Sequence, residues 1–203
     1  MSESLSLPEQ KRRLRQAMRR ARRALSRSER TRAGKRLARL GRRLILKNRH
    51  PRVALYFSHD SEIPTGALIQ TLLEHGAEVY LPVLHPVYHN RLWFARYTPE
   101  TPMVRNTYGI AEPDIRRAGR VPPWTLSQVC LPLVAFDEKG YRLGMGGGYY
   151  DRTFDRARPM PKRPRLTGLA YEFQRQAHIP REPWDVPLEA VVTDQQIRLF
   201  RPT

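Results

Sequence analysis

The decapeptide Arg142-Leu-Gly-Met-Gly-Gly-Gly-Tyr-Tyr-Asp151 has four glycines within five residues, between a strand-like run at 129–136 and a helix-like run at 149–156. Glycine adopts φ > 0 and lets the backbone approach a ligand closely. A helix that begins near Tyr149 directs unpaired N–H groups into the loop and favours an anion there. Asp151, in the first helical turn, offers carboxylate oxygens to a hard cation. The stretch therefore predicts a strand–loop–helix unit that binds nucleotide phosphates and magnesium.

This loop does not follow the two common phosphate-binding patterns. A Walker A loop requires a Lys-Ser/Thr pair after its last glycine, and the dinucleotide fingerprint requires a glycine at position 149. The chain has Tyr149 there and no such pair. A flexible glycine-rich connection without a ligand is the alternative interpretation. The Tyr-Tyr-Asp at the helix start favours the binding loop.

Strand-like and helix-like segments alternate along the 203 residues. Helices are predicted at 8–24, 28–47, 65–75 and 149–156, strands at 52–57, 77–82, 91–96, 128–136, 165–170, 190–193 and 196–200, and a long loop at 98–124. This order predicts an α/β fold: a single three-layer domain over residues 1–203, with a mostly parallel sheet flanked by helices, Rossmann-like without the dinucleotide fingerprint. Residues 1–50 are predicted to form a basic helical segment packed on the α/β core.

The formal net charge of +18 is concentrated in the N-terminal quarter. Residues 1–52 contain 19 Lys and Arg and three acids, whereas residues 53–203 contain 18 and 16. Such a block is typical of proteins that bind nucleic acid or anionic membranes. However, apolar residues recur there at helical spacing, and no aromatic side chain is present to stack on bases. We therefore expect no specific nucleic-acid partner, and we expect arginines such as Arg22 and Arg23 to face outward.

The decapeptide resembles the signature Arg-Leu-Gly-x-Gly-x-Gly-Tyr-Tyr-Asp of the 5-formyltetrahydrofolate cyclo-ligase family, also called 5,10-methenyltetrahydrofolate synthetases. Three further segments resemble motifs of that family in the same order: Lys11-Arg-Arg-Leu-Arg15, Phe57-Ser-His-Asp-Ser-Glu62 and Asp185-Val-Pro-Leu-Glu-Ala-Val-Val-Thr193. Four motifs in this order over nearly the whole chain make the resemblance specific. Two of them also follow predicted strands, at whose carboxyl ends ligands bind in open α/β sheets.

The resemblance implies ATP-dependent conversion of 5-formyltetrahydrofolate to 5,10-methenyltetrahydrofolate, through a phosphorylated formyl group and with release of ADP and phosphate. The implied partners are ATP, a folate with or without a polyglutamate tail, and the cofactor Mg²⁺, in a monomeric protein. The resemblance assigns ATP binding to Lys11, Arg15, Arg142, Leu143, Gly144, Met145, Gly146, Gly147, Gly148, Tyr149 and Tyr150. It assigns folate binding to Phe57, Glu62, Met145, Gly146, Gly148 and Tyr149. It assigns magnesium binding to Asp151 and Asp185.

Two positions depart from the family pattern. Glu189 stands where the family often has a second aspartate, so its role stays open. Gly147 stands where some relatives carry a lysine, and Arg142, Lys11 and Arg15 are the expected sources of that positive charge. A nucleic-acid- or ribosome-associated protein without ATPase activity is a second hypothesis. The motifs indicate ATP more clearly than the pterin, so a relative acting on another folate or amide-like substrate is a third.

Cys130 is the only cysteine, which excludes an intramolecular disulfide, and its apolar surroundings predict a buried thiol. The chain has no apolar stretch of membrane-spanning length. Its Arg-rich start is similar to a mitochondrial transit peptide, but it carries the Lys11–Arg15 motif, whose cleavage would remove part of the site. We therefore expect a cytoplasmic protein with no membrane partner.

Overall fold

Helices and strands alternate through most of the computed structural model, which describes residues 6–47, 50–157 and 159–200. The helices are α1 (Leu7–Ala24), α2 (Arg27–Ile45), α3 (Gly66–Glu74) and α4 (Tyr149–Phe154). The strands are β1 (Arg52–Ala54), β2 (Glu78–Leu84), β3 (Leu92–Tyr97), β4 (Met103–Arg105), β5 (Ala111–Pro113), β6 (Arg120–Val121), β7 (Gln128–Pro132), β8 (Ala135–Phe136), β9 (Arg142–Leu143), β10 (Arg165–Ala170), β11 (Ala190–Thr193) and β12 (Ile197–Leu199).

Eight strands form one central sheet in the order β12-β11-β10-β7-β1-β2-β3-β6. The five central strands run parallel, and β12, β3 and β6 add antiparallel edges. Strands β4 with β5 and β8 with β9 form two separate hairpins. The predicted α/β fold with a mostly parallel sheet and flanking helices is confirmed.

Alternate residues of the central strands supply the two faces of the sheet. Val53 and Leu55 belong to one buried cluster, together with α2 and α3, whereas Ala54 belongs to the cluster on the other face. Both faces are covered, as is usual for parallel strands. Cys130 in β7 is buried as predicted, and burial raises the pKa of its thiol to about 12.

The two N-terminal helices pack through the apolar stripes that their spacing predicted. Ser26 begins α2 with a capping box, in which its Oγ accepts from Glu29 N and Glu29 accepts from Ser26 N. Leu37 and Leu44 of α2 are buried against the sheet. Leu14 and Met18 of α1 instead pack on a small cluster at the β8–β9 hairpin. The first helix is therefore held next to the glycine-rich loop that follows β9.

The run 128–136 is two strands, not the single one that its apolar composition predicted. Strand β7 ends at Pro132, whose lack of an N–H ends the regular ladder, and β8 turns out of the sheet to pair with β9.

Helix α4 ends at Phe154, two residues before the predicted end. The guanidinium of Arg163 donates to the carbonyl oxygen of Phe154 and to those of Asp155 and Arg156, which follow the helix.

The expectation of an irregular loop at 98–124 was also wrong. This segment contains the β4–β5 hairpin and the edge strand β6. The local sequence gives little indication of this strand pairing, because the strands are only two or three residues long and the segment is rich in proline.

None of the helices that the structure describes is long and apolar enough to cross a membrane.

Candidate active site

The predicted site residues gather where the order of the sheet reverses. From β1 the chain continues to β2 and β3 on one side, whereas from β7 it continues to β10 and β11 on the other. In open α/β sheets the crevice beyond the carboxyl ends of two such strands is the usual binding site. Strand β1 leads into residues 57–62, and β7 leads through the β8–β9 hairpin into residues 144–151.

The larger cavity at this crevice has a volume of about 440 Å³. It is lined by every residue from Arg142 to Arg152, together with Lys11, Arg15 and Asp185. All eleven residues assigned to ATP and both carboxylates assigned to magnesium therefore share one cavity.

Two glycines of the loop have backbone conformations that other residues rarely adopt. Gly146 has φ of 108° and Gly148, the residue before α4, has φ of 67°. A Cβ on Gly148 would also lie 2.9 Å from Nη1 of Arg152. That arginine donates to the carbonyl of Gly147 at 2.9 Å and braces the loop. The loop conformation therefore requires glycine at these positions.

Helix α1 supplies two cations to the same cavity. Lys11 and Arg15 are four residues apart and so share one helix face. Arg15 Nε donates to the carbonyl of Gly144 at 2.9 Å, which ties the helix to the loop. Lys11 Nζ lies 3.6 Å from carboxylate oxygens of both Asp185 and Glu182. Burial lowers the pKa of Arg15, and the charge of Asp185 opposes that effect.

Arg142 is a buried brace for Asp151. Its side chain is only 4% exposed, and Nη2 donates to Asp151 Oδ1 at 2.7 Å. Its Nη1 donates to the carbonyl of Val186, while Val186 N donates to Asp151 Oδ1 at 3.2 Å. These contacts tie Asp151 to the chain segment that carries Asp185. The predicted contact between Arg142 and ATP stays a prediction, and in this arrangement its charge acts through Asp151.

Asp151 and Asp185 offer the carboxylate oxygens that Mg²⁺ commonly uses as ligands, and the magnesium site stays a prediction. Among residues 6–47, 50–157 and 159–200, no three His, Cys, Asp or Glu side chains cluster as a metal site by themselves. Mg²⁺ is commonly held by one or two carboxylates, with phosphate oxygens and waters as the other ligands. The hydrogen bonds that Asp151 accepts both go to Oδ1, so Oδ2 can turn to a cation. Glu189, whose role the sequence left open, is not among the residues that line this cavity, and its carboxylate lies 3.6 Å from Arg165.

A second cavity of about 380 Å³ adjoins the first and is mostly apolar. Phe57 lines it and packs edge-on against Tyr97, with 5.4 Å between the ring centroids. The β4–β5 hairpin forms another wall, through Tyr108 and Ile110. The hydroxyl of Tyr108 lies 2.8 Å from that of Tyr149, which joins this hairpin to the glycine-rich loop.

Glu62 lies at the junction of the two cavities and lines both. Its Oε2 accepts a hydrogen bond from His59 N at 3.0 Å. Burial raises the pKa of this carboxyl to about 7, although the hydrogen bond from His59 and the charge of Arg22 act in the opposite direction. A carboxyl near neutrality can exchange a proton at physiological pH.

Three arginines of α1 hold the loop that carries Glu62. Arg19, Arg22 and Arg23 all donate to the carboxylate of Asp60, at 2.6, 3.2 and 2.7 Å. Asp60 and Ser61 have φ of 46° and 59°, a conformation that costs free energy outside glycine. The expectation that Arg22 faces outward was wrong, since this residue is fully buried. Its charge is tolerated there because Asp60 compensates it.

We expect Asp60→Asn to reduce the free energy of unfolding at neutral pH. Burial by itself would raise the pKa of Asp60, but the hydrogen bonds from Arg19 and Arg23 lower it from 3.8 to about 2. The ionised form therefore stabilises the fold above pH 4, and this contribution is lost as the pH falls through 2. Allowing for solvent screening, it amounts to about 1–2 kcal/mol.

Denaturant unfolding of both proteins at pH 7 and near pH 2 measures this contribution. The difference between wild type and Asp60→Asn is expected to be largest at pH 7 and to be mostly lost near pH 2, where Asp60 is half protonated. Glu74→Gln, at an exposed position of α3, is the matched control. A difference that persists unchanged at pH 2 would contradict the charge-based explanation.

Four further residues of the site were missed by the sequence analysis. Trp184, which is 68% exposed, and Arg152 line the larger cavity, Tyr108 lines the apolar one, and Glu182 contacts Lys11. Trp184 and Glu182 are close to Asp185 in sequence, which is a usable signal. Tyr108 has none, because the hairpin that carries it was not predicted.

Comparison with known proteins shows the family to which this chain belongs. Residues 8–194 match the model of the 5-formyltetrahydrofolate cyclo-ligase family. A 5-formyltetrahydrofolate cyclo-ligase of Haemophilus influenzae is 51% identical over 136 residues, which cover 67% of this chain and 72% of the relative. That of Escherichia coli K12 is 43% identical over 145 residues, covering 71% and 79%.

A solved structure supports the same relationship over a longer span. The NMR structure of Aquifex aeolicus 5,10-methenyltetrahydrofolate synthetase superposes with a TM-score of 0.80 at 32% identity. The superposition covers 95% of this chain and 94% of that one. The motifs quoted from the sequence and these similarities agree, and the chain belongs to the 5-formyltetrahydrofolate cyclo-ligase family.

Proposed function

We propose that this enzyme converts 5-formyltetrahydrofolate to 5,10-methenyltetrahydrofolate at the expense of ATP, which leaves as ADP and phosphate. The observation that carries the proposal is the pair of adjoining cavities. One is bordered by the glycine-rich loop, cations and two carboxylates, and the other is apolar. They meet at Glu62, Tyr149 and Tyr150, where a phosphate and a pterin would come together.

The larger cavity has the chemistry that a triphosphate requires. Backbone N–H groups of the loop and the side chains of Lys11 and Arg15 supply positive charge to phosphate oxygens. Asp151 and Asp185 would hold Mg²⁺ beside them. When bound, the ion neutralises phosphate oxygens and so eases transfer of the terminal phosphoryl group.

The apolar cavity supports the folate assignment. Flat aromatic ligands are commonly held by apolar walls with a few polar groups that fix their orientation. Phe57 provides such a wall, and Glu62 provides a polar group. The formyl group would then lie near the junction, within reach of the transferred phosphoryl group.

Activation of the formyl oxygen explains why ATP is needed. That oxygen is a poor leaving group, and its phosphorylation gives an imidate phosphate at which N10 can attack as phosphate departs. Phosphoryl transfer depends mainly on positioning and on charge neutralisation. A site built from backbone amides, cations and carboxylates is suited to this chemistry without a protein nucleophile.

The direct test is to mix the protein with MgATP and 5-formyltetrahydrofolate. We expect the absorbance of methenyltetrahydrofolate to appear with one ADP per product, and to depend on both ATP and free magnesium. A product that forms equally fast without ATP, or with excess chelator, would contradict this part of the proposal.

Replacing both Lys11 and Arg15 with Gln is expected to raise the KM for ATP by at least about tenfold, a loss of about 1.4 kcal/mol of binding. These two cations face the cavity, whereas Arg20 of the same helix is exposed to solvent. Initial rates at several ATP concentrations measure the change. Arg20→Gln is the matched control and is expected to leave this KM unchanged.

The same variants test the role of the exposed arginines. Arg20→Gln is expected to weaken binding of folates with polyglutamate tails at low salt only, because an exposed charge is screened by ions. If both sets of substitutions lower ATP affinity equally, α1 acts as a diffuse charged surface and the assignment of Lys11 and Arg15 fails.

A further inference from the structure

Ring closure requires a proton acceptor. In 5-formyltetrahydrofolate N10 carries a hydrogen, and in the methenyl product N10 is bonded to the former formyl carbon without that hydrogen. One proton therefore leaves N10 for each turnover, whichever group activates the formyl oxygen. A side chain that takes this proton must lie where the folate meets the activating phosphate.

Glu62 is the acidic residue that lines both cavities among those that the structure describes. The other acids of the crevice lie beside cations or, in the case of Glu112, line the apolar cavity only. Asp60 is bound by three arginines, Asp151 by Arg142, and Asp185 lies beside Lys11. In the apolar cavity, the carboxylate of Glu112 accepts from Leu84 N and from Asn106.

The hydroxyl groups at the junction are poorer acceptors. Burial raises the pKa of Tyr149 to about 12 and that of Tyr150 further, so both remain protonated at neutral pH. His59 lines the apolar cavity only, and its side chain is exposed. Tyr56 Oη is buried beside Glu62 without a hydrogen-bond partner in the described part of the chain, as expected of a polar group that faces a ligand.

We propose that the Glu62 carboxylate is the general base that accepts the N10 proton during ring closure. As the lone pair of N10 forms the bond to the activated formyl carbon, the N10–H bond breaks and its proton moves to Glu62. The C–O bond to phosphate then breaks, phosphate leaves with that electron pair, and Glu62 returns the proton to solvent. This role rests on the proposed function and extends the predicted contact between Glu62 and the folate.

The surroundings of Glu62 suit this role. Burial disfavours its charged form and raises its pKa, and the charge of Asp60 acts in the same direction. The hydrogen bond from His59 N and the charge of Arg22 oppose them, which leaves a pKa of about 7. A general base works best when its pKa is near the operating pH, because it is then both ionised and basic.

The pH dependence of turnover tests the proposal. With MgATP saturating, kcat/KM of the wild type for the folate is expected to fall about tenfold per pH unit below 7, as Glu62 of the free enzyme becomes protonated. Glu62→Gln is expected to lower kcat at pH 7.5 by at least about 100-fold and to abolish that dependence. Formate is expected to restore part of the turnover of Glu62→Ala, since a small base fits the vacated space.

Two controls distinguish a general base from a residue that only contacts the folate. Glu62→Gln is expected to bind MgATP with wild-type affinity by calorimetry, and Glu74→Gln is expected to keep the wild-type pH profile. If Glu62→Gln raises the KM for folate but leaves kcat intact, Glu62 only contacts the substrate and the proposal is overturned. A wild type that forms no methenyl product with MgATP would instead overturn the proposed function.

Discussion

Asp151→Asn is expected to reduce kcat by at least about 1,000-fold, which corresponds to about 4 kcal/mol of transition-state stabilisation. An amide is neutral and could not balance the charge of the magnesium ion that Asp151 is proposed to hold. The structure adds a second reason. Asp151 Oδ1 neutralises the buried guanidinium of Arg142 at 2.7 Å, and the amide leaves that charge uncompensated.

The fold is expected to survive this substitution. The asparagine side chain would keep an oxygen that can accept from Arg142 and from Val186 N, and Asp151 is 26% exposed, so water also solvates the site. Single-turnover rates at several magnesium concentrations measure the loss of turnover, and circular dichroism on the same samples checks that the fold is retained. Near-normal kcat at millimolar magnesium would refute the role of Asp151 as a metal ligand.

Gly146→Val and Gly148→Val are each expected to weaken ATP binding by at least about 100-fold, or about 2.8 kcal/mol. The two glycines have φ of 108° and 67°, and a β-branched residue is strained in that region by about 1–3 kcal/mol. At Gly148 the new side chain would also meet Arg152 Nη1 at 2.9 Å, which displaces the brace on Gly147. The loop would then lose the conformation that faces the phosphates.

Calorimetric titration with MgATP measures this effect. Gly66→Ala, at the start of α3 where a Cβ meets nothing within 4 Å, is the matched control and is expected to bind ATP normally. Unchanged nucleotide affinity in both valine variants would show that the loop only connects β9 to α4.

The family and the fold could be predicted from local patterns. Hydrophobic periodicity located α1, α2 and the central strands, because each must bury one stripe or both faces. The glycine-rich decapeptide and the segment 57–62 could be placed at one crevice, since parallel strands end at a common edge. The roles of individual site residues, the domain bounds, the monomeric state and the cytoplasmic location stay predictions.

Contacts between distant segments were decided only by the tertiary structure. The β4–β5 hairpin, which brings Tyr108 to Tyr149, depends on short strands whose pairing has little local preference. The buried position of Arg22 depends on Asp60, 38 residues away, because a buried cation is tolerated only beside a compensating charge. The contact between Arg142 and Asp151 likewise depends on Val186, a residue that follows β10 in the chain and whose backbone hydrogen-bonds to both side chains.

Glu62 shows most clearly which properties the sequence determines and which ones the tertiary structure determines. The motif Phe57–Glu62 identified the residue, since sequence determines which side chain follows β1. Its pKa of about 7 and its place between two cavities come from burial by elements that lie far apart in the chain. Local sequence therefore determines which groups are present, whereas desolvation and charge pairing, which depend on the assembled fold, determine what those groups can do.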